Sequence, residues 1–159
     1  MKRWSWMATA ACVAWTMCAS VRLAAAAWPH DPNNGNVPLC TAGNGQNFPS
    51  VISDGAGGAI VAWQDMRGGV GSPGDIYAQR VNAAGVPLWV AQGASVCSAI
   101  NSQLSPTIVS DGAGGVIVTW QDIRSGTSYD IYAQRMNAAG VAQWTGNGVA
   151  LCTATNNQQ

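Results

Sequence analysis

The chain has 159 residues, enough for one ordinary domain, and its seven Lys and Arg balance seven acidic residues. From Trp28 onward there is no Lys, and four Arg face seven Asp, a net charge of −3. No basic cluster is present to neutralise phosphates, so the composition argues against nucleic acid as a partner.

Residues 1–27 read as a secretory signal peptide. Met1-Lys2-Arg3 is a positive start, Trp4 to Val21 is apolar, and Leu23-Ala24-Ala25-Ala26-Ala27 offers small-residue cleavage sites before Trp28. Arg22 interrupts the apolar run, which argues against an uncleaved anchor, so no membrane span is expected after cleavage. The expected location is outside the cell or at its surface, with the periplasm also consistent. Residues 28–45 form a lead-in segment. It carries Leu39-Cys40-Thr41-Ala42, which matches Val96-Cys97-Ser98-Ala99 and Leu151-Cys152-Thr153-Ala154 further on. That segment is expected to be an orphan outer strand. His30 is a lone histidine there and is read as a surface residue, since a metal site needs convergent ligands.

Two near-duplicate units follow, at 46–102 and 103–157. Ser53-Asp54-Gly55-Ala56-Gly57-Gly58 returns as Ser110-Asp111-Gly112-Ala113-Gly114-Gly115, and Trp63-Gln64-Asp65-Met66-Arg67 as Trp120-Gln121-Asp122-Ile123-Arg124, 57 positions on. Asp75-Ile76-Tyr77-Ala78-Gln79-Arg80 returns as Asp130 to Arg135, 55 positions on, because the intervening loop is two residues shorter. A fixed period of this size signals stacked or radial repeats. Within the first unit the pattern predicts strands at 49–53, 59–63 and 75–82, and an interrupted fourth at 87–89 and 94–97. A glycine-rich hairpin lies at 54–58 and a turn at Ala83-Ala84-Gly85. Strand 59–63 is apolar on both faces, so each sheet should be covered on both sides. The expected fold is therefore all-β: β-propeller-type four-stranded antiparallel blades, two complete units plus the orphan N-terminal strand. Gln158 stands at the position of Gln46 and Gln103, so residues 158–159 are expected to open a further unit of a longer array. The alternative is self-association of short chains through open blade faces.

The recurrent side chains read as framework. Trp63 and Trp120, Trp89 and Trp144, and Tyr77 and Tyr132 should fill the layers between blades rather than form carbohydrate platforms. Cys40, Cys97 and Cys152 should be buried small hydrophobes, too far apart for disulfides and wrongly spaced for zinc. Asp65 with Arg67, and Asp75 with Arg80, are expected to pair at loop mouths. One carboxylate per glycine-rich loop is a poor calcium site, so no metal or other cofactor is expected. No Glu is present, and nothing marks one Asp as acid and another as nucleophile. Binding specificity is expected where the copies differ, in the loops 67–74 and 124–129. The candidate ligand-binding residues are Arg67, Gly68, Gly69, Ser72 and Asp75 in one, and Arg124, Ser125, Thr127, Tyr129 and Asp130 in the other.

The pattern S-D-G-x-G-G-x-I-V-x-W-Q-D-x-R followed by D-I-Y-A-Q-R resembles bacterial secreted β-propeller repeat proteins over residues 36–159. The blade grammar is also similar to TolB-type, WD40-like propellers, with Ser53-Asp54-Gly55, Trp63 to Arg67 and Asp75-Ile76-Tyr77 in the corresponding places but without the family's Pro. The resemblance implies a non-enzymatic scaffold for an unidentified protein or glycan ligand. A more distant likeness to the sialidase Asp-box lacks the adjacent Thr-Trp. It implies the alternative, part of a glycan-active enzyme whose catalytic residues lie in other blades.

Overall fold

The computed structural model describes residues 35–69 and 73–159. The expected signal peptide, His30 and Ser72 lie outside the described residues. The described chain holds no helix and eight strands: β1 (Gln46–Ser53), β2 (Ala59–Asp65), β3 (Asp75–Val81), β4 (Ala94–Cys97), β5 (Gln103–Ser110), β6 (Val116–Asp122), β7 (Asp130–Met136) and β8 (Val149–Cys152). They form two four-stranded antiparallel sheets, ordered β1-β2-β3-β4 and β5-β6-β7-β8.

The second sheet reproduces the first pair for pair. Ala59 opposes Val81 and Asp65 opposes Asp75 in one; Val116 opposes Met136 and Asp122 opposes Asp130 in the other. The first strand of each sheet starts three residues earlier than the proline pattern predicts. Pro49 and Pro106 cannot donate to a ladder, and both fall in an irregularity, between Asn47 and Ser50 and between Leu104 and Thr107. Phe48 and Ser105 take φ of 50° and 52° there, and the strand resumes pairing beyond the bulge.

Each hairpin is closed by its aspartate. Asp54 Oδ1 accepts the backbone N–H groups of Ala56 and Gly58 at 2.8 and 2.7 Å, and Asp111 does the same for Ala113 and Gly115. The fourth strand is interrupted as expected, with Pro87 bridged to Val81 ahead of β4. A buried glutamine holds the interruption in place. Gln79 Nε2 donates to Val90 O at 3.0 Å while its Oε1 accepts Trp89 N–H at 2.9 Å, and Gln134 repeats this with Thr145 O and Trp144 N–H.

The sheets stack face to face, with β5 lying across β1, β2 and β3, and β4 against β7. Alternation sorts the side chains. Ile60, Ala62, Ile76, Ala78 and Val96 come from the first sheet and meet Val116, Val118, Trp120 and Met136 from the second. Trp63, one residue out of phase with Ala62, is buried on the opposite face, above which residues 35–45 run. The expectation that each sheet is covered on both sides is met only for the first: among the described residues the outer face of the second sheet has no covering layer, and Ile117, Thr119 and Gln121 of β6 are half-buried there.

Gly148 has φ +86, and a Cβ there would stand 2.5 Å from Trp120 Cη2 and 2.7 Å from Ala133 O. Gly148→Ala is therefore expected to lower unfolding free energy by roughly 1–3 kcal/mol, read from urea denaturation.

Candidate functional site

The loops that follow β2 and β6 begin from a buried carboxylate hub. Asp122 is fully buried. Its Oδ2 accepts Trp120 Nε1–H at 2.8 Å and Arg124 Nη2–H at 2.6 Å, and its Oδ1 accepts the backbone and Nε N–H groups of Arg124 at 2.8 and 2.9 Å. Arg124 lies 3.7 Å above the Tyr132 ring centroid and donates again to Asn147 O. Asp65, Trp63, Arg67, Tyr77 and Gln92 build the same hub in the first sheet. Asp65 and Asp122 end their strands on the same face as Trp63 and Trp120, which is why burial and the D-x-R spacing together close a carboxylate-guanidinium fork. In both aspartates burial pushes the carboxyl upward. The hydrogen bonds from Arg and Trp and the Arg charge override it, holding both below the ordinary 3.8.

The expected pair Asp65–Arg67 forms, at 2.7 Å, with the carboxylate buried rather than exposed. The expected pair Asp75–Arg80 does not. Five residues apart along one strand, the two side chains point to opposite faces and stand about 17 Å apart. Arg80 instead crosses the sheet to Asp54, at 3.0 Å, and Arg135 to Asp111, at 3.0 Å. Tyr77 and Tyr132 are half-buried, and each supports an arginine in addition to any packing role. Trp144 is an exposed counterpart of buried Trp89.

The cysteines are free thiols; Cys97 is buried, while Cys40 and Cys152 are half-buried. Their setting is more specific than space filling. Cys97, at the end of β4, donates to Asp122 Oδ2 at 3.9 Å and receives Arg124 Nη2–H at 3.3 Å, so it touches the hub of the next sheet. Cys40 meets Asp65 and Arg67 in the same way, at 3.8 and 3.6 Å. Burial pushes the Cys97 thiol up to about 11, which keeps it neutral and unreactive.

Of the candidate ligand residues, Arg67 and Arg124 are thus held inside the framework. Gly68 is exposed, and Gly69 closes a turn through its N–H to Met66 O. Tyr129 is tied by its backbone, its N–H to Asn157 Oδ1 and its O from Gln158 N–H. Ser125, Thr127 and Asp130 come together, with Ser128 and residues 153–157, around an open hollow of about 620 Å³. Asp130 is only 6 % exposed, yet among the described residues its carboxylate makes no hydrogen bond or ion pair. Its first-sheet counterpart Asp75 likewise makes no side-chain hydrogen bond among the described residues. Burial and the facing charge of Asp65 push its carboxyl up, against a smaller opposing effect of Arg67.

Residues 153–157 were not legible as site residues. The signal for them is Gln158: its N–H bonds Tyr129 O as Gln103 N–H bonds Gly74 O, which lays the preceding polar stretch beside the loop. The three described cysteines and the aspartates form no cluster suited to a metal ion among the described residues. No family model matches the chain, and no curated protein or solved structure matches it.

Two outcomes follow from the carboxylates. The unfolded chain protonates Asp65, Asp122, Asp54 and Asp111 at higher pH than the folded chain does. Their stabilisation is therefore complete above the ordinary carboxylate value and declines as pH falls through the lower folded values. Urea midpoints measured from pH 7 to pH 2 should drop below about pH 4. Asp75 has the opposite sign, because its raised carboxyl makes ionisation unfavourable to the fold. Asp75→Asn should raise the urea midpoint at pH 7 and leave it nearly unchanged at pH 3, where both forms are neutral.

Proposed function

We propose that this chain is an exported, non-enzymatic β-propeller repeat segment that acts as a binding scaffold, with the loop after Arg124 forming its recognition surface. One observation carries the reading. The recurrent Arg, Trp63, Trp89, Trp120 and the Asp54/Asp65-type aspartates are engaged within and between the sheets, whereas Asp130, 6 % exposed, has no side-chain partner among the described residues and lines an open hollow. Ser125, Thr127, Ser128, Thr153, Thr155, Asn156 and Asn157 surround it with hydroxyls and amides. This chemistry suits a neutral ligand with several hydroxyl or amide donors, a glycan or an extended polypeptide segment, and disfavours an anionic one. The repeated sheet geometry and the stacked faces support the propeller reading, in which a fixed framework presents variable loops at one end. Export rests on the sequence of residues 1–27.

A panel of neutral and acidic oligosaccharides and of immobilised proteins tests the reading. Neutral ligands should bind in preference to acidic ones. Asp130→Ala should weaken any binding found by roughly tenfold or more, as for loss of a charged hydrogen bond, while the far-ultraviolet circular dichroism stays unchanged. Binding that survives both Asp130→Ala and replacement of residues 125–128 by glycine and serine would overturn it.

A further inference from the structure

The joint between the two sheets has a second, unfilled copy. Inside the chain, the first sheet grips the second through a small set of contacts. Trp89 lies over Gly140, where a Cβ would stand 2.6 Å from the indole Cγ, and its Nε1–H donates to Ala138 O at 3.0 Å. Cys97 enters the Asp122–Arg124 hub, and Ser98 N–H donates to Asn147 Oδ1 at 3.0 Å. The second sheet carries the same gripping residues on its outer side: Trp144, Leu151, Cys152 and Thr153. There, among the described residues, they meet no third sheet. Trp144 is 38 % exposed against 7 % for Trp89, and Leu151 is 59 % exposed against 3 % for Val96.

The complementary receiving face exists on the first sheet, and a strap from the same chain occupies it. Val37 lies over Gly85 as Trp89 lies over Gly140. Cys40 enters the Asp65–Arg67 hub, and Thr41 N–H donates to Gln92 Oε1 at 2.6 Å. The strap anchor Leu39-Cys40-Thr41-Ala42 is identical, residue for residue, to Leu151-Cys152-Thr153-Ala154. The strap fits loosely: valine replaces tryptophan over the glycine, and a hollow of about 160 Å³ remains beneath it, lined by Leu39, Cys40, Gln46, Pro49, Val61 and Trp63.

We infer that the outer face of the second sheet docks on the first sheet of another copy of this chain, and that residues 37–42 compete with it for the receiving face. In the docked pair, Cys152 takes the place of Cys40 at Asp65 and Arg67, Thr153 that of Thr41 at Gln92, and Trp144 that of Val37 over Gly85. The contact is heterologous, since it joins two different surfaces, so it propagates until a ring closes. If every joint repeats the one inside the chain, closure at about four to eight sheets takes about two to four chains. The strap is joined to β1 through Gly43-Asn44-Gly45 alone, so its effective concentration is on the order of millimolar and it keeps chains apart at micromolar concentration. The inference rests on the scaffold reading in one respect, that the two sheets are units of one repeating array.

Sedimentation equilibrium of the full chain across micromolar to near-millimolar concentration tests it. Cys40→Arg sets a second cation against Arg67 and should release the strap, shifting self-association to concentrations at least tenfold lower than for the unsubstituted chain. Adding Cys152→Arg should return the mass to that of one chain, and in the assembled Cys40→Arg form Cys152 should alkylate more slowly. If Cys40→Arg is unfolded by circular dichroism, replacing Leu39–Ala42 with alternating glycine and serine serves in its place. A folded strap variant that keeps the mass of the unsubstituted chain overturns the inference, and so does association that Cys152→Arg leaves intact. Cys40 lies outside the hollow around Asp130, so ligand binding by the Cys40→Arg chain, at concentrations where it is a single chain, separates failure here from failure of the scaffold reading.

Discussion

Two buried carboxylates organise everything else in the described chain. Asp65 and Asp122 each sit fully buried at the end of a strand, where an unpaired charge would cost several kcal/mol. Each is made tolerable by an arginine two residues on and a tryptophan two residues back, so one sequence motif supplies both the charge and its solvation. The fork bends the chain out of the strand in a set direction. The arginine is then fixed from three sides, by the carboxylate, the tyrosine ring and a carbonyl of the loop before the fourth strand.

The hub also couples one sheet to the next, because the thiol that completes it arrives from the preceding unit. Apolar packing between sheets is non-directional and would permit sliding. A thiol at a carboxylate, an indole over a glycine and an amide on a backbone N–H do not, since each needs its partner within a few tenths of an ångström. The stacking direction is therefore encoded in polar contacts at the rim of an apolar joint. The recurrent cysteines are conspicuous in the sequence, and their role lies in this contact rather than in redox chemistry.

Much of the framework was readable from spacing. The glycine-rich turns, the apolar strands and the D-x-R motif each follow from local rules, and Asp54 caps its turn as such a sequence should. The Asp75–Arg80 pair was misread because nearness in sequence is not nearness along a strand: five residues put the two on opposite faces, while Asp54 sits in the β1–β2 turn beside the end of β3 that carries Arg80. The candidate loops were readable as the places where the copies differ. Which of their residues remain open was not, since the arginines there are drawn inward and the hollow borrows residues 153–157 from beyond β8.

Strand number, order and hairpin chemistry were determined by the sequence alone, because each depends on neighbours a few residues apart and on alternation along a strand. Tertiary structure decided the rest. Which sheet face meets which, whether a repeated side chain is buried or bare, and which aspartate lacks a partner all depend on contacts between residues some 25 to 58 positions apart. Such contacts arise only when one sheet lies on the next. Trp89 and Trp144 show the difference: the two units carry the same residue in the same place, and only one of them has a neighbour to cover it.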